Sequence, residues 1–150
     1  MVCLGNICRS PLAQGILESK IISEDVFVDS AGTASYHEGN SPDKRSIDVA
    51  FRYNIDISHQ KARKFNISDF DTFDYIYTMD MTNYQNVLML ARNKNDEKKV
   101  KLILNEVYPK ENRSVPDPYY GGDDGFENVF QMLNKACDVL VKKYNNANAR

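Results

Sequence analysis

Residues 2–11 read VCLGNICRSP: a short apolar run, then two cysteines, a glycine, an asparagine and an arginine packed ahead of a proline. Residues 2–4 read as the end of a β-strand. Ser10 and Pro11 read as the N-cap and first residue of a helix, and Leu12, Ile16, Leu17 and Ile21 follow at helical spacing. A strand that turns through a tight polar loop straight into a helix is how a βαβ unit begins, and the rest of the chain is read from that start.

The same alternation continues. Residues 26–32, VFVDSAG, read as a second strand stopped by glycine. Ser41 and Pro42 open a helix with Ile47, Ala50 and Phe51 on its apolar side. Residues 73–80, FDYIYTMD, read as a third strand, 83–92 as a helix, and 98–104, KKVKLIL, as a fourth strand. The charge-rich stretch 93–101 reads as a solvated turn. Residues 114–125 hold two prolines and three glycines and read as a loop. Beyond it, Phe126, Val129, Phe130, Leu133, Ala136, Cys137, Leu140, Val141 and Tyr144 form one continuous apolar stripe. Strands alternating with helices imply a parallel sheet covered on both faces, whose ligands bind beyond the carboxyl ends of the strands. The opening loop lies at one such end.

The chain has 150 residues, 42% hydrophobic and 27% charged, with a formal net charge of −2, which describes one soluble domain over 1–150. The mild acidity excludes a general nucleic-acid binder. No apolar run has membrane-spanning length. With three cysteines and no leader ahead of the first, a disulfide framework is not expected, and a reducing cytoplasm is. The sequons at Asn66 and Asn112 carry no meaning for a chain that is not secreted. Paired ligand spacing for zinc is missing.

Residues 3–9 form C-x5-R between a strand and a helix. Successive backbone N–H groups in such a loop make an anion nest, and the helix behind adds its own free N–H groups and the positive end of its dipole. Gly5 and Asn6 tolerate the left-handed backbone a tight cradle requires. Arg9 is able to fork two oxygens of a phosphate. The same field favours a thiolate on Cys3, with Ser10 as a hydrogen-bond donor to it, so Cys3 is a nucleophile aimed at phosphorus. A departing oxygen then needs a proton. Asp117 in residues 115–122, VPDPYYGG, is the candidate, held between two prolines, with Tyr119 and Tyr120 as aromatic walls for a flat substrate.

VCLGNICRSP, followed in order by VDSAGT, FDYIYTMD and DPYYGG, closely resembles the low-molecular-weight protein tyrosine phosphatase family across essentially the whole chain. C-x5-R alone is shared by unrelated phosphatases; the extended loop together with a late D-P-Y-Y is specific. The resemblance implies an α/β, flavodoxin-like three-layer sandwich whose four-stranded parallel sheet has helices on both faces. It implies a cysteinyl-phosphate on Cys3, Arg9 as clamp, and Asp117 as general acid and then base. It makes Leu4, Gly5, Asn6, Ile7, Cys8 and Ser10 the phosphate-binding loop. Ser30 would support that loop, and Leu4, Ile7, Tyr36, Tyr119 and Tyr120 would line the cleft; Tyr119 and Tyr120 match tyrosines phosphorylated in some relatives. The implied partners are a phosphotyrosine-containing protein or a small aryl phosphate, with inorganic phosphate as product and no metal or organic cofactor, nucleic acid or membrane. Family members usually carry several apolar residues before V-C, so the natural first strand is expected to start ahead of Met1.

Cys8 reads two ways, as a loop-packing residue or as a disulfide partner that shields Cys3 from over-oxidation. Cys137, on the apolar stripe, reads as a buried small hydrophobe. His37 and His59 read as rim or surface residues, Asp80 as a helix cap, and Asp123 and Asp124 as caps of the final helix. Two other functions compete. Arsenate reduction on this fold passes a disulfide along a cysteine relay, and residues 80–96 contain no cysteine. A silent phosphotyrosine-binding module would be expected to lose the nucleophile or the acid, and both are present.

Overall fold

The computed structural model describes the backbone of residues 1–120 and 122–148 and the side chains of 1–119 and 124–144. Four parallel strands lie in the order β2-β1-β3-β4: β1 (Val2–Cys3), β2 (Ala31–Gly32), β3 (Ile76–Thr78) and β4 (Val100–Leu102). This is the doubly wound order in which the chain reverses direction across the sheet at β1 and β3, the place where such folds bind ligands. The helices are α1 (Arg9–Lys20), α2 (Lys44–Arg52), α3 (Asp69–Thr72), α4 (Met81–Leu88), α5 (Lys94–Lys99) and α6 (Gly122–Asn148). Short 3-10 turns occupy Ile103–Glu106 and Pro118–Tyr120. Among the described residues no helix is long and apolar enough to cross a membrane.

Period-2 alternation puts the sheet's side chains on two cores. Cys3 and Tyr77 face one side with Leu12, Ile16, Val129, Phe130, Leu133 and Leu140 of α1 and α6. Val2, Ala31, Ile76 and Val100 face the other, with Phe65, Phe70 and Val87. The stripe on α6 is buried from Phe126 to Leu140 as its spacing requires, with Val141 and Tyr144 at its margin. α6 packs more extensively on α1 than on any other element.

Local boundaries depart from the sequence reading for physical reasons. The strands are shorter than the β-rich runs. β1 is central and has two residues, so the ladder it shares with β2 is two pairs long, Val2 with Ala31 and Cys3 with Gly32. α1 begins at Arg9 rather than after a Ser10 cap, and Cys8 at the cap position makes no side-chain cap bond. Ser10 is not free to cap because its hydroxyl is turned into the opening loop. α2 starts later than Pro42, with Asp43 as N-cap accepting from the Arg45 N–H at 2.8 Å. Its buried face is Ser46, Val49 and Ala50, and Phe51 is exposed, because Ser46 is drawn inward to donate to the Cys8 carbonyl. The expected turn at 93–101 contains α5, capped by Asn93, whose side chain accepts from the Asp96 N–H. The expected loop ends early, since α6 starts at Gly122. The Tyr120 and Asp123 side chains lie outside the described residues; Asp124 is exposed within α6.

Candidate active site

The loop between β1 and α1 closes around one sulfur atom. The Asn6 N–H reaches Cys3 Sγ at 3.3 Å and Ser10 Oγ lies 3.0 Å from it. Ser10 Oγ already accepts from the Asn6 side-chain amide at 2.7 Å, which leaves the hydroxyl proton for an acceptor of its own. The sulfur is nearer than the Ala31 carbonyl at 3.5 Å. The Asn6 N–H and the Ser10 hydroxyl thus both point at one sulfur.

Asn6 is the hub of this loop. Its φ of 57° is left-handed, as the sequence predicts. Gly5 is not left-handed; its missing Cβ instead makes room for the His37 ring, which a methyl group there would meet at 3.0 Å. Buried at 2% exposure, Asn6 spends its side chain completely: Nδ2 donates to Ser10 and, at 2.9 Å, to Ser30 Oγ, and Oδ1 accepts from the Arg63 N–H at 3.0 Å. Ser30 in turn donates to Gln14 Oε1 at 2.6 Å.

The loop's carbonyls are held from outside. Thr33 N–H donates to the Cys3 carbonyl, Ala34 to Leu4, Asp43 to Ile7, and the Ser46 hydroxyl to Cys8. Since C=O and the following N–H point opposite ways in a planar trans peptide, pulling the Leu4, Ile7 and Cys8 carbonyls outward turns the Gly5, Cys8 and Arg9 N–H groups away from those donors. The uncapped first turn of α1 adds its own free N–H groups. Gly32 permits the approach: a Cβ there would lie 2.7 Å from the Leu4 carbonyl oxygen, 3.0 Å from Gly5 C and 3.1 Å from Asn6 N, all backbone atoms.

Arg9 is 3% exposed and aimed by three groups. Nη1 donates to Asp80 Oδ2 at 2.7 Å and to the Val115 carbonyl at 3.0 Å, while Nη2 lies 3.8 Å from Asp117 Oδ2. Asp80 caps α4 as expected, its Oδ1 accepting from the Asn83 N–H at 2.8 Å, but its second oxygen orients Arg9. Asp117 is held by one local bond, the Tyr119 N–H donating to Oδ1 at 3.0 Å.

These parts surround a cleft of about 240 Å³ lined by Cys3, Leu4, Gly5, Ile7, Cys8, Arg9, Tyr36, His37, Asp117 and Tyr119. Of the candidate residues, Asn6, Ser10 and Ser30 stand behind the cleft, and the Tyr120 side chain lies outside the described residues. His37 is on the rim and His59 on the surface. Burial pushes the Cys8 thiol up to about 12, with Asp43, Cys3 and Asp117 adding to it. Cys137 is fully buried on α6, and burial also pushes its thiol up to about 12. All three cysteines are free. The sequence assigns no role to Gln14, Gly32, Asp43 or Arg45, nor the second role of Asp80; only Gly32, the last residue of a strand and facing a loop, carries a signal that marks it.

The family model for low molecular weight phosphotyrosine protein phosphatase matches residues 1–149. A human low molecular weight phosphotyrosine protein phosphatase is 40% identical over 149 residues, covering 95% of this chain and 92% of its own. The Schizosaccharomyces pombe protein of that name is 39% identical over 137 residues, covering 88% and 86%. Among solved structures, a protein tyrosine phosphatase from Entamoeba histolytica superposes with a TM-score of 0.90 at 37% identity, covering 98% of this chain and 96% of that one. The chain belongs to the low molecular weight phosphotyrosine protein phosphatase family.

Proposed function

We propose that residues 1–150 act as one phosphatase domain that hydrolyses phosphotyrosine in proteins, and small aryl phosphates, in a reducing cytoplasm. The reading is carried by one observation: the Cys3 sulfur lies between the Asn6 N–H and the Ser10 hydroxyl at the cleft, with Arg9 and Asp117 beside it.

A phosphate dianion enters the nest of loop N–H groups and is gripped by the Arg9 guanidinium. The Cys3 thiolate attacks phosphorus along the line opposite the ester oxygen. An S–P bond forms, the P–O bond to the phenol breaks, and the departing oxygen takes a proton from Asp117. Water then attacks the cysteinyl-phosphate; Asp117 accepts a proton from it, the S–P bond breaks and inorganic phosphate leaves. Leu4, Ile7, Tyr36 and Tyr119 supply the apolar and aromatic walls suited to a flat ring. A thiol relay of the arsenate-reductase kind has no support from Cys137, whose sulfur is enclosed at 3.8 Å from the Ala13 carbonyl.

The test is a pair of variants. Cys3→Ser is expected to abolish turnover of phosphotyrosine while inorganic phosphate and vanadate still bind, because the nest and Arg9 hold the anion and the sulfur makes the bond. Asp117→Asn is expected to lower kcat/KM for phenyl phosphate by about 10²-fold or more, and much less for p-nitrophenyl phosphate, whose leaving oxygen needs little help. Near-wild-type turnover by pure Cys3→Ser would overturn the covalent route.

A further inference from the structure

Arg45 stands in the first turn of α2, outside the cleft lining, yet its guanidinium reaches both loops that form the cleft. Nε donates to Asp43 Oδ1 and Nη2 to Asp43 Oδ2, each at 3.0 Å, a forked pair that fixes the plane of the group. The hydrogen bond to Arg45 is what chiefly holds the Asp43 carboxyl below its usual range. The Asp43 backbone N–H donates to the Ile7 carbonyl at 2.8 Å, so this end is fastened to the phosphate-binding loop. At the other end, Arg45 Nη1 donates to the Tyr119 carbonyl at 3.1 Å, 74 residues away. The guanidinium carbon also sits 5.2 Å from the Tyr119 ring centroid and 4.6 Å from that of Phe126.

The backbone of Tyr119 is therefore held on both sides. Its carbonyl accepts from Arg45, and its N–H donates to Asp117 Oδ1 at 3.0 Å. Asp117 is 39% exposed at its side chain and lies on a loop, and besides the Tyr119 N–H its carboxylate has the Arg9 guanidinium at 3.8 Å. We infer that Arg45 is a positioning residue for the general acid: braced on Asp43, it sets the distance between the phosphate-binding loop and the Asp117 loop, and so the point at which the proton is delivered. The inference rests on the phosphatase reading. The Asp43–Arg45 pair is itself partly exposed, 13% and 37% at the side chains, so it adds little net stability, and its loss is felt in placement rather than in folding. A displacement of about 1 Å at a reacting group is enough to cost about 10²-fold in rate.

The experiment measures kcat/KM for phenyl phosphate and p-nitrophenyl phosphate with the wild type, Arg45→Met, Asp117→Asn and the double variant, with thermal melting alongside. Wild-type turnover of both esters must come first; if it is absent, the proposed function fails and the Arg45 comparison is not what failed. With wild-type turnover in hand, Arg45→Met is expected to lose roughly 10-fold or more on phenyl phosphate and less than about 3-fold on p-nitrophenyl phosphate. In the Asp117→Asn background it should cost nothing further on phenyl phosphate. Equal losses on both esters, or a full additional loss on top of Asp117→Asn, would overturn the inference. If Arg45→Met does not fold, Arg45→Lys carries the comparison. One ammonium cannot hold Asp43 and the Tyr119 carbonyl with the geometry of a fork, so the same selective loss is expected at smaller size, and an equal loss on both esters again overturns it.

Discussion

Asp80 holds Arg9 by a 2.7 Å hydrogen bond from Nη1 to Oδ2, joining the first turn after β3 to the first turn after β1. The Asp80 carboxylate is a positioning group and also a negative charge near a site built for a dianion, and the two roles pull in opposite directions. Asp80→Asn separates them, because asparagine keeps the N-cap of α4. It is expected to lower kcat roughly 10-fold as Arg9 loses its aim, while inorganic phosphate inhibits at least as tightly, since a repelling charge is gone. Steady-state kinetics with phosphate as product inhibitor check this; weaker phosphate binding in step with kcat would mean that the loop itself had shifted.

Asn6→Ala should be among the costliest changes in the loop. It leaves the part-buried Arg63 N–H without its 3.0 Å partner, takes the donor from Ser30, and puts a Cβ-bearing residue without a compensating side chain at φ 57°. An unsatisfied buried donor costs about 1–3 kcal/mol and the left-handed backbone about 1 kcal/mol more. A loss of about 2–4 kcal/mol in denaturant unfolding is expected on those two counts, against about 1 kcal/mol for Ser30→Ala, which removes one bonded hydroxyl.

Gly32→Ala tests the closeness of the loop to β2. The new methyl would meet Leu4 O, Gly5 C and Asn6 N, and backbone atoms have no rotamer in which to retreat. The loop is expected to move off β2 and kcat/KM to fall at least 10-fold, with an overpacking cost of about 1–3 kcal/mol in stability. Unchanged kinetics would show that the loop tolerates a different seat.

For Cys8 the structure sharpens a choice that the sequence leaves open. Its thiol is pushed up to about 12, chiefly by burial, so the proton stays on it at neutral pH and little thiolate is available to attack a sulfenic acid on Cys3. If it does attack, Cys3–SOH and Cys8–SH condense to a disulfide with loss of water, and the rate follows the thiolate fraction. After a short peroxide pulse, bridge formation should accelerate about tenfold per pH unit between pH 7 and 9, far below 12, where that fraction rises tenfold per unit. Mass spectrometry of acid-quenched samples reads it; no bridge at any pH leaves Cys8 as a packing residue.

What the sequence makes legible is whatever is written locally. The strand–loop–helix opening, the alternation and the α6 stripe each follow from short-range spacing, and their types hold even where their limits do not. Asp80 is instructive because its local role as a cap is real and complete. Nothing in its neighbourhood hints that its other oxygen meets an arginine 71 positions away. Arg45 is hidden in the same way, and Ser46 misleads in the opposite sense. A polar residue reads as solvent-facing, but here Ser46 is buried and donates to the Cys8 carbonyl, and the helix face is turned by one position, leaving Phe51 outside.

The packing of α6 on α1 also sets an order of events during synthesis. Leu12 and Ile16 of α1 belong to the same core as Val129, Phe130, Leu133 and Leu140, yet every other described element leaves the ribosome before α6 does. Until those residues emerge, that side of the sheet and the apolar flank of α1 are covered only in part, by residues such as Val49, Ala50 and Ile57. The catalytic loop can thus be fastened to residues 30–63 before the core beneath it is complete, and the fold closes through contacts between residues more than a hundred positions apart.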